Sequence, residues 1–121
     1  MDCVAIGDDV AVNVGTALSC EIRAASQLTS SRVLDLANGK YHVVCIVSIG
    51  TYDTNNYLQT YRNASSIRKQ APCKTYVWIQ PADRQEVFNN LYLDHPRDIV
   101  ISNDPVQNTN SLVNEINNSL N

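Results

Sequence analysis

The chain has 121 residues, 44% hydrophobic and 17% charged, with a formal net charge of -3 and a pI near 5.1. That length and apolar content suit one domain, residues 1–121, burying about two-thirds of its unfolded surface. The acidic balance leaves no electrostatic reason to bind nucleic acid. No stretch approaches the roughly 20 apolar residues of a bilayer span or follows a basic leader, so neither a membrane nor a cleaved signal is expected.

In chain order, the first element is an apolar strand at residues 3–6 (CVAI), followed by Gly7-Asp8-Asp9 and a helical pattern through Val10, Val14, Ala17 and Leu18. A weaker strand at residues 20–24 alternates Cys20, Ile22 and Ala24 with Glu21 and Arg23, as a sheet edge does. Val33, Leu34 and Ala37 mark a second helix, stopped by Asn38-Gly39. Residues 42–49 (HVVCIVSI), 75–79 (TYVWI) and 99–101 (IVI) are apolar on both faces and rich in β-branched residues, the mark of parallel strands covered on both sides. A helix over residues 55–71 places Tyr57, Leu58, Tyr61, Ala64 and Ile67 on one stripe before Pro72; Val87, Phe88 and Leu91 form another before His95-Pro96. The last helix, residues 111–120, presents Leu112, Val113, Ile116 and Leu120. Strand and helix alternate five times, and right-handed crossovers wind such a chain into a three-layer α/β sandwich over a five-stranded parallel sheet.

Cys3, Cys20, Cys45 and Cys73 are far apart, contain no C-x-x-C, and read as buried free thiols. The sequons at Asn63 and Asn117 then carry little meaning. Arg62, Arg68, Lys69 and Lys74 read as a solvated helix end, and the abundant Asn as a polar, weakly charged surface. Tyr57, Tyr61, Tyr76 and Trp78 are assigned to packing, Tyr52 standing apart at a strand end.

In a doubly wound sheet, ligands sit beyond the C-terminal ends of the strands, which directs attention to Gly7-Asp8-Asp9, Ala24-Ala25-Ser26, Gly50 to Asp53, Gln80-Pro81 and Asn103-Asp104. Four blocks there carry a resemblance. "AIGDDVAVNVG", "VSIGTYDTNN", "VWIQP" and "NDPVQNTNSLVNEI" follow the order and strand context of the SGNH (GDSL-type) hydrolases, above all the minimal versions encoded by tailed bacteriophages. The resemblance implies the flavodoxin-like topology of that family. It also implies a serine nucleophile, a histidine base oriented by aspartate, and oxyanion donors from two backbone N–H groups and an asparagine.

The chain departs from this pattern at each demanding position. Asp9 stands where the serine would be, a carboxylate that repels an oxyanion; Tyr52 replaces the asparagine; Ala24 or Ala25 replaces the glycine; and Gln107 replaces the histidine, leaving Asp104 alone of the triad. His42, opening the third strand at the opposite edge of the sheet, and His95 offer no substitute, although Asp94-His95 is an alternative alignment of the last block.

The expectation is therefore a catalytically inactive domain with no cofactor and no metal, acting as a structural protein. The resemblance implies a phage particle, in a decoration or tail-associated role, with other virion subunits as partners and the virion, or the host cytoplasm before assembly, as its location. Tyr52, Thr54, Asn55 and Asn56 are the expected contact residues. Two alternatives are an active esterase with a non-standard site and a receiver-like domain in which Asp8, Asp9, Asp53 and Asp104 cluster around a divalent cation. Against the latter, Asp104 precedes Pro105 where receivers carry lysine, and the same carboxylates suit helix N-caps.

Overall fold

Apolar runs flanked by helical segments leave their backbone groups one economical solution, pairing with one another under helices on both faces. The computed structural model describes residues 1–54 and 56–121. In it the chain runs β1 (Cys3–Gly7), α1 (Asp9–Ala17), β2 (Glu21–Ala24), α2 (Ser30–Ala37), β3 (His42–Ser48), α3 (Tyr57–Gln70), β4 (Cys73–Gln80), α4 (Gln85–Asp94), β5 (Ile99–Ser102) and α5 (Thr109–Leu120), with a short 3-10 turn, Ala82–Arg84, leading into α4. The five strands form one all-parallel sheet in the order β2-β1-β3-β4-β5. This is the doubly wound order of flavodoxin-like sheets.

Alternate residues of each strand feed two cores. Val4, Ile6, Cys45, Val47, Tyr76 and Trp78 face α2, α3 and α4, whereas Cys3, Val44, Ile46, Val77 and Ile79 face α1 and α5. Three layers result. The helix starts follow local chemistry: side chains of Asp8, Thr29, Asn56 and Asn108 each accept a hydrogen bond from a first-turn N–H of α1, α2, α3 and α5. Part of the abundant Asn is thus spent on caps.

Several expectations need correction. The cysteines are not free thiols: Cys3 pairs with Cys20 across 17 positions and Cys45 with Cys73 across 28, so one disulfide ties each face of the sheet. Spacing did not reveal them because the pairing depends on Cα atoms that only the fold brings to 4.9 and 5.8 Å. Arg68 is no solvated helix end. Its guanidinium lies over the Tyr76 ring and grips buried Asp98 through two 2.8 Å hydrogen bonds, and the same carboxylate accepts the Trp78 indole N–H at 3.0 Å. On α3 the inner face is Thr60, Asn63, Ala64 and Ile67; Tyr57 and Leu58 point outward. Tyr76 and Trp78 are packed as expected, but Tyr41, Tyr57 and Tyr92 are exposed. Asn63 is buried and donates to the Ser30 and Ser31 hydroxyls, so its sequon is not displayed on the surface.

Non-reducing peptide mapping is expected to yield the pairs Cys3–Cys20 and Cys45–Cys73. Replacing Cys45 and Cys73 together by Ala should lower the unfolding free energy by about 2–4 kcal/mol, read as a reduced denaturant midpoint, because the unfolded chain regains the freedom of the closed loop.

Candidate functional site at the strand ends

The chain leaves β1 in one direction, towards β2 at one edge, and leaves β3 in the other, towards β4 and β5. The two connections diverge and open a crevice at the C-terminal ends of β1 and β3. Gly7 allows the strands to meet there. Its φ is +142°, and a Cβ at this position would stand 1.9 Å from the Ser48 carbonyl oxygen. The Asp8 N–H donates to that same oxygen at 3.0 Å.

The next two residues carry the site's charge. Asp8 is fully buried and caps α1 by accepting the Val10 N–H at 3.1 Å. Burial pushes its carboxyl from the ordinary 3.8 up to about 6, against the pull of hydrogen bonds from Ser48 and the Val10 backbone, with Asp9 adding to the rise. Asp9 opens α1, and its Oδ2 accepts the Tyr52 hydroxyl at 3.0 Å; this bond raises the Tyr52 phenol above its ordinary value. Among the described residues, Asp8 Oδ2 and Asp9 Oδ1 are buried side-chain oxygens with no hydrogen-bond partner. Beside this pair lies a cavity of about 360 Å³ whose wall includes Asp9, Gly50, Tyr52, Arg84, Asn103 and Val106.

The loop that carries Tyr52 is held from below. Asp53 is buried and its carboxylate accepts three hydrogen bonds, from the Ser30 N–H at 2.7 Å, the Ser30 hydroxyl at 2.5 Å and the Thr60 hydroxyl at 2.6 Å. Buried Arg84 donates to the carbonyls of Gly50 and Asp53. Gly50, at φ +104°, keeps the turn clear of Arg84, whose Cγ would lie 3.1 Å from a Cβ there. Sequence reading missed Arg84, Ser30 and Thr60. The only available signal for Arg84 was its place just after a strand end, in the segment that follows Gln80-Pro81.

The remaining expected positions do not join Asp9. Gln107 folds back on its own neighbourhood, its Nε2 donating to the Ser102 carbonyl at 2.7 Å and to Glu115 at 3.2 Å. Its backbone N–H goes to Asn103 Oδ1. Asp104 is exposed in the β5–α5 loop. The Ala25 N–H, one of the two suggested for the oxyanion position, is committed to the Gly7 carbonyl at 3.1 Å.

His42 lies at the N-terminal start of β3, which is the central strand and not an edge; it sits between Asp2 at 2.6 Å and Glu21 at 3.3 Å. His95 caps the C-terminus of α4. Both are at the end of the sheet remote from Asp9. The four-carboxylate cation cluster is likewise not assembled, since Asp53 is turned into the protein and no group of three or more metal-ligating side chains occurs among the described residues. Of the expected contact residues, Thr54 is exposed, Asn56 is exposed and caps α3, and Asn55 lies outside the described residues.

Compared with protein-family models, curated proteins and solved structures, the chain matches none. The reading of the site rests on its own geometry.

Two stability measurements check that geometry. For Asp8, the folded state holds a proton more tightly than the unfolded state, so stability falls as pH rises from about 4 to about 6 and is level above. Asp8→Asn keeps a capping side chain and removes the buried charge; at pH 7 it should stabilise the fold by about 1–3 kcal/mol, with the gain vanishing below about pH 4. Asp53→Ala leaves three buried donors without an acceptor and should destabilise by about 3 kcal/mol or more, whereas Asp104→Ala should stay within about 0.5 kcal/mol of the parent in the same urea titration.

Proposed function

We propose that this chain is a non-catalytic domain of SGNH-like descent that works through contact with other protein subunits, as a structural component of a bacteriophage particle. The observation that carries the reading is the Asp9–Tyr52 hydrogen bond, standing at the position the resemblance assigns to nucleophile and oxyanion donor. Acyl transfer needs a hydroxyl or thiol nucleophile within about 2.6–3.2 Å of a base, and a place where negative charge is stabilised. Here the group at the helix start is itself a carboxylate, both histidines belong to the other end of the sheet, and the Ala25 N–H is occupied.

Other features suit a contact surface. Val106 is 83% exposed on the wall of the strand-end cavity, which half-buried Tyr52 also lines. An apolar side chain and a tyrosine on a shallow cavity suit an interface centre; of the ionisable groups on its wall, Asp53 and Arg84 are held by internal hydrogen bonds, while Asp9 and Asp83 would be desolvated on contact. The disulfides fit a final location outside a reducing cytosol, such as a particle surface. The phage assignment itself rests on the sequence blocks.

The purified chain should hydrolyse short-chain aryl esters no faster than buffer. Turnover that disappears in Asp104→Ala would instead establish an active esterase. In reconstitution with particle proteins, Val106→Asp and Tyr52→Ala should weaken incorporation by about tenfold or more. The first should do so without changing the melting temperature, since Val106 is already in solvent.

A further inference from the structure

The second large surface feature lies away from the strand ends, along the outer seam between α3 and α4. A groove of about 450 Å³ runs there, with Tyr57, Leu58, Tyr61, Leu93, Glu86 and Asp94 on its walls. Leu58 is 53% exposed, Leu93 75% and Tyr57 45%. Single exposed leucines are ordinary; two leucines and a tyrosine around one groove form a contiguous apolar patch of the kind that marks an interaction surface.

The charges are graded along the seam. Beyond Tyr57, at the strand-end side, the groove continues past Asp83 and Glu86. Beyond Tyr61, at the other side, it continues past Lys69 and then Arg97. At this second end Arg68 is paired with Asp98, and Asp94, which accepts a hydrogen bond from the neutral Tyr61 hydroxyl, still offsets part of the charge of Lys69 and Arg97. One end therefore carries Asp83 and Glu86, the stretch between the two ends is lined by Leu58, Tyr61 and Leu93, and the other end, with Lys69 and Arg97 against Asp94, is basic on balance.

We propose that this face binds a second copy of the same chain, forming a two-fold symmetric dimer across the α3–α4 groove. A two-fold axis through the middle of the seam places the acidic end of each copy on the basic end of the other, so Glu86 of one protomer meets Lys69 of its partner twice over. Leu58 and Leu93 pack about the axis. Such self-complementarity is what an isologous interface requires, and an antisymmetric gradient of charge provides it without any further partner. Helix α3, 14 residues long, spans about 21 Å. A stable interface takes about 800 Å² from each subunit, roughly an eighth of the chain's 6264 Å². The proposal goes beyond the strand-end reading, and its variants touch neither Tyr52 nor Val106.

Sedimentation equilibrium of the full, disulfide-bonded chain from about 1 µM to about 1 mM tests it. The expected result is a reversible monomer–dimer equilibrium. Leu93→Asp should weaken it by about tenfold or more, with the melting temperature measured at dilutions where both proteins are monomeric unchanged. Glu86→Lys should weaken it as well, and Glu86→Lys combined with Lys69→Glu should restore it. A monomer throughout the range overturns the proposal, as does a dimer indifferent to Leu93→Asp or one that the paired charge reversal does not rescue. Because Tyr52 and Val106 are untouched, either outcome leaves incorporation through the strand-end face to be judged by its own variants.

Discussion

The strand-end architecture depends on one buried carboxylate. Asp53 collects the Ser30 N–H, the Ser30 hydroxyl and the Thr60 hydroxyl, joining the loop after β3 to the first turn of α2 and to the inner face of α3. Taking a charge out of water costs several kcal/mol, and the arrangement survives because the carboxylate is surrounded by donors. Arg84 completes it from the other side through the Gly50 and Asp53 carbonyls. Three elements separated in the chain are thereby held at fixed positions, and Tyr52 is carried on a braced turn opposite Asp9. Were this clamp absent, neither the cavity nor the Asp9–Tyr52 contact would have a defined geometry.

The other end of the sheet uses the same device with different groups. Arg68, Asp98 and the Trp78 indole tie α3 to the segment before β5 and to β4, while the Tyr76 hydroxyl donates to the Ala71 carbonyl at 2.6 Å. Around His42, the hydrogen bond to Asp2 holds that carboxyl below its ordinary value; Glu21 is held down first by Arg23 and further by His42. The middle of the molecule is an apolar slab in which position along a strand is only weakly specified, since one apolar side chain packs much like another. Polar clamps at both ends specify register, because a displaced carboxylate loses several directed bonds at once.

Asp8 and Asp9 stand in contrast to these satisfied groups. Among the described residues each has a buried oxygen without a donor, and Asp9 adds to the rise of the Asp8 carboxyl. Natural chains are not optimised for stability at every position, and sites that deviate from the local rules are where function or ancestry is usually found. The proposed non-catalytic reading fits that pattern, with Tyr52 closing the cavity rim beside the acidic turn. Under that proposal two faces are offered for protein contact, the strand-end rim and the α3–α4 seam.

Local sequence alone determined the element order, because strands covered on both faces and helices with one apolar stripe have periodicities legible within a few residues. Val33 and Ala37 face the core from α2, and the apolar runs at residues 42–49 and 99–101 are strands within a residue or so of their read limits. The parallel sheet and its winding follow from alternation and handedness. The candidate site was half legible: strand ends pointed to Asp9 and Tyr52, which do meet, but assigned Asp104 and Gln107 to a constellation they do not enter. Tertiary structure decided the partners. Ser30 and Asp53 are 23 positions apart, Arg68 and Asp98 are 30, and Cys45 and Cys73 are 28. A charged or thiol side chain reads the same in sequence whether solvated or clamped, since its state is set by neighbours that arrive only when distant segments pack.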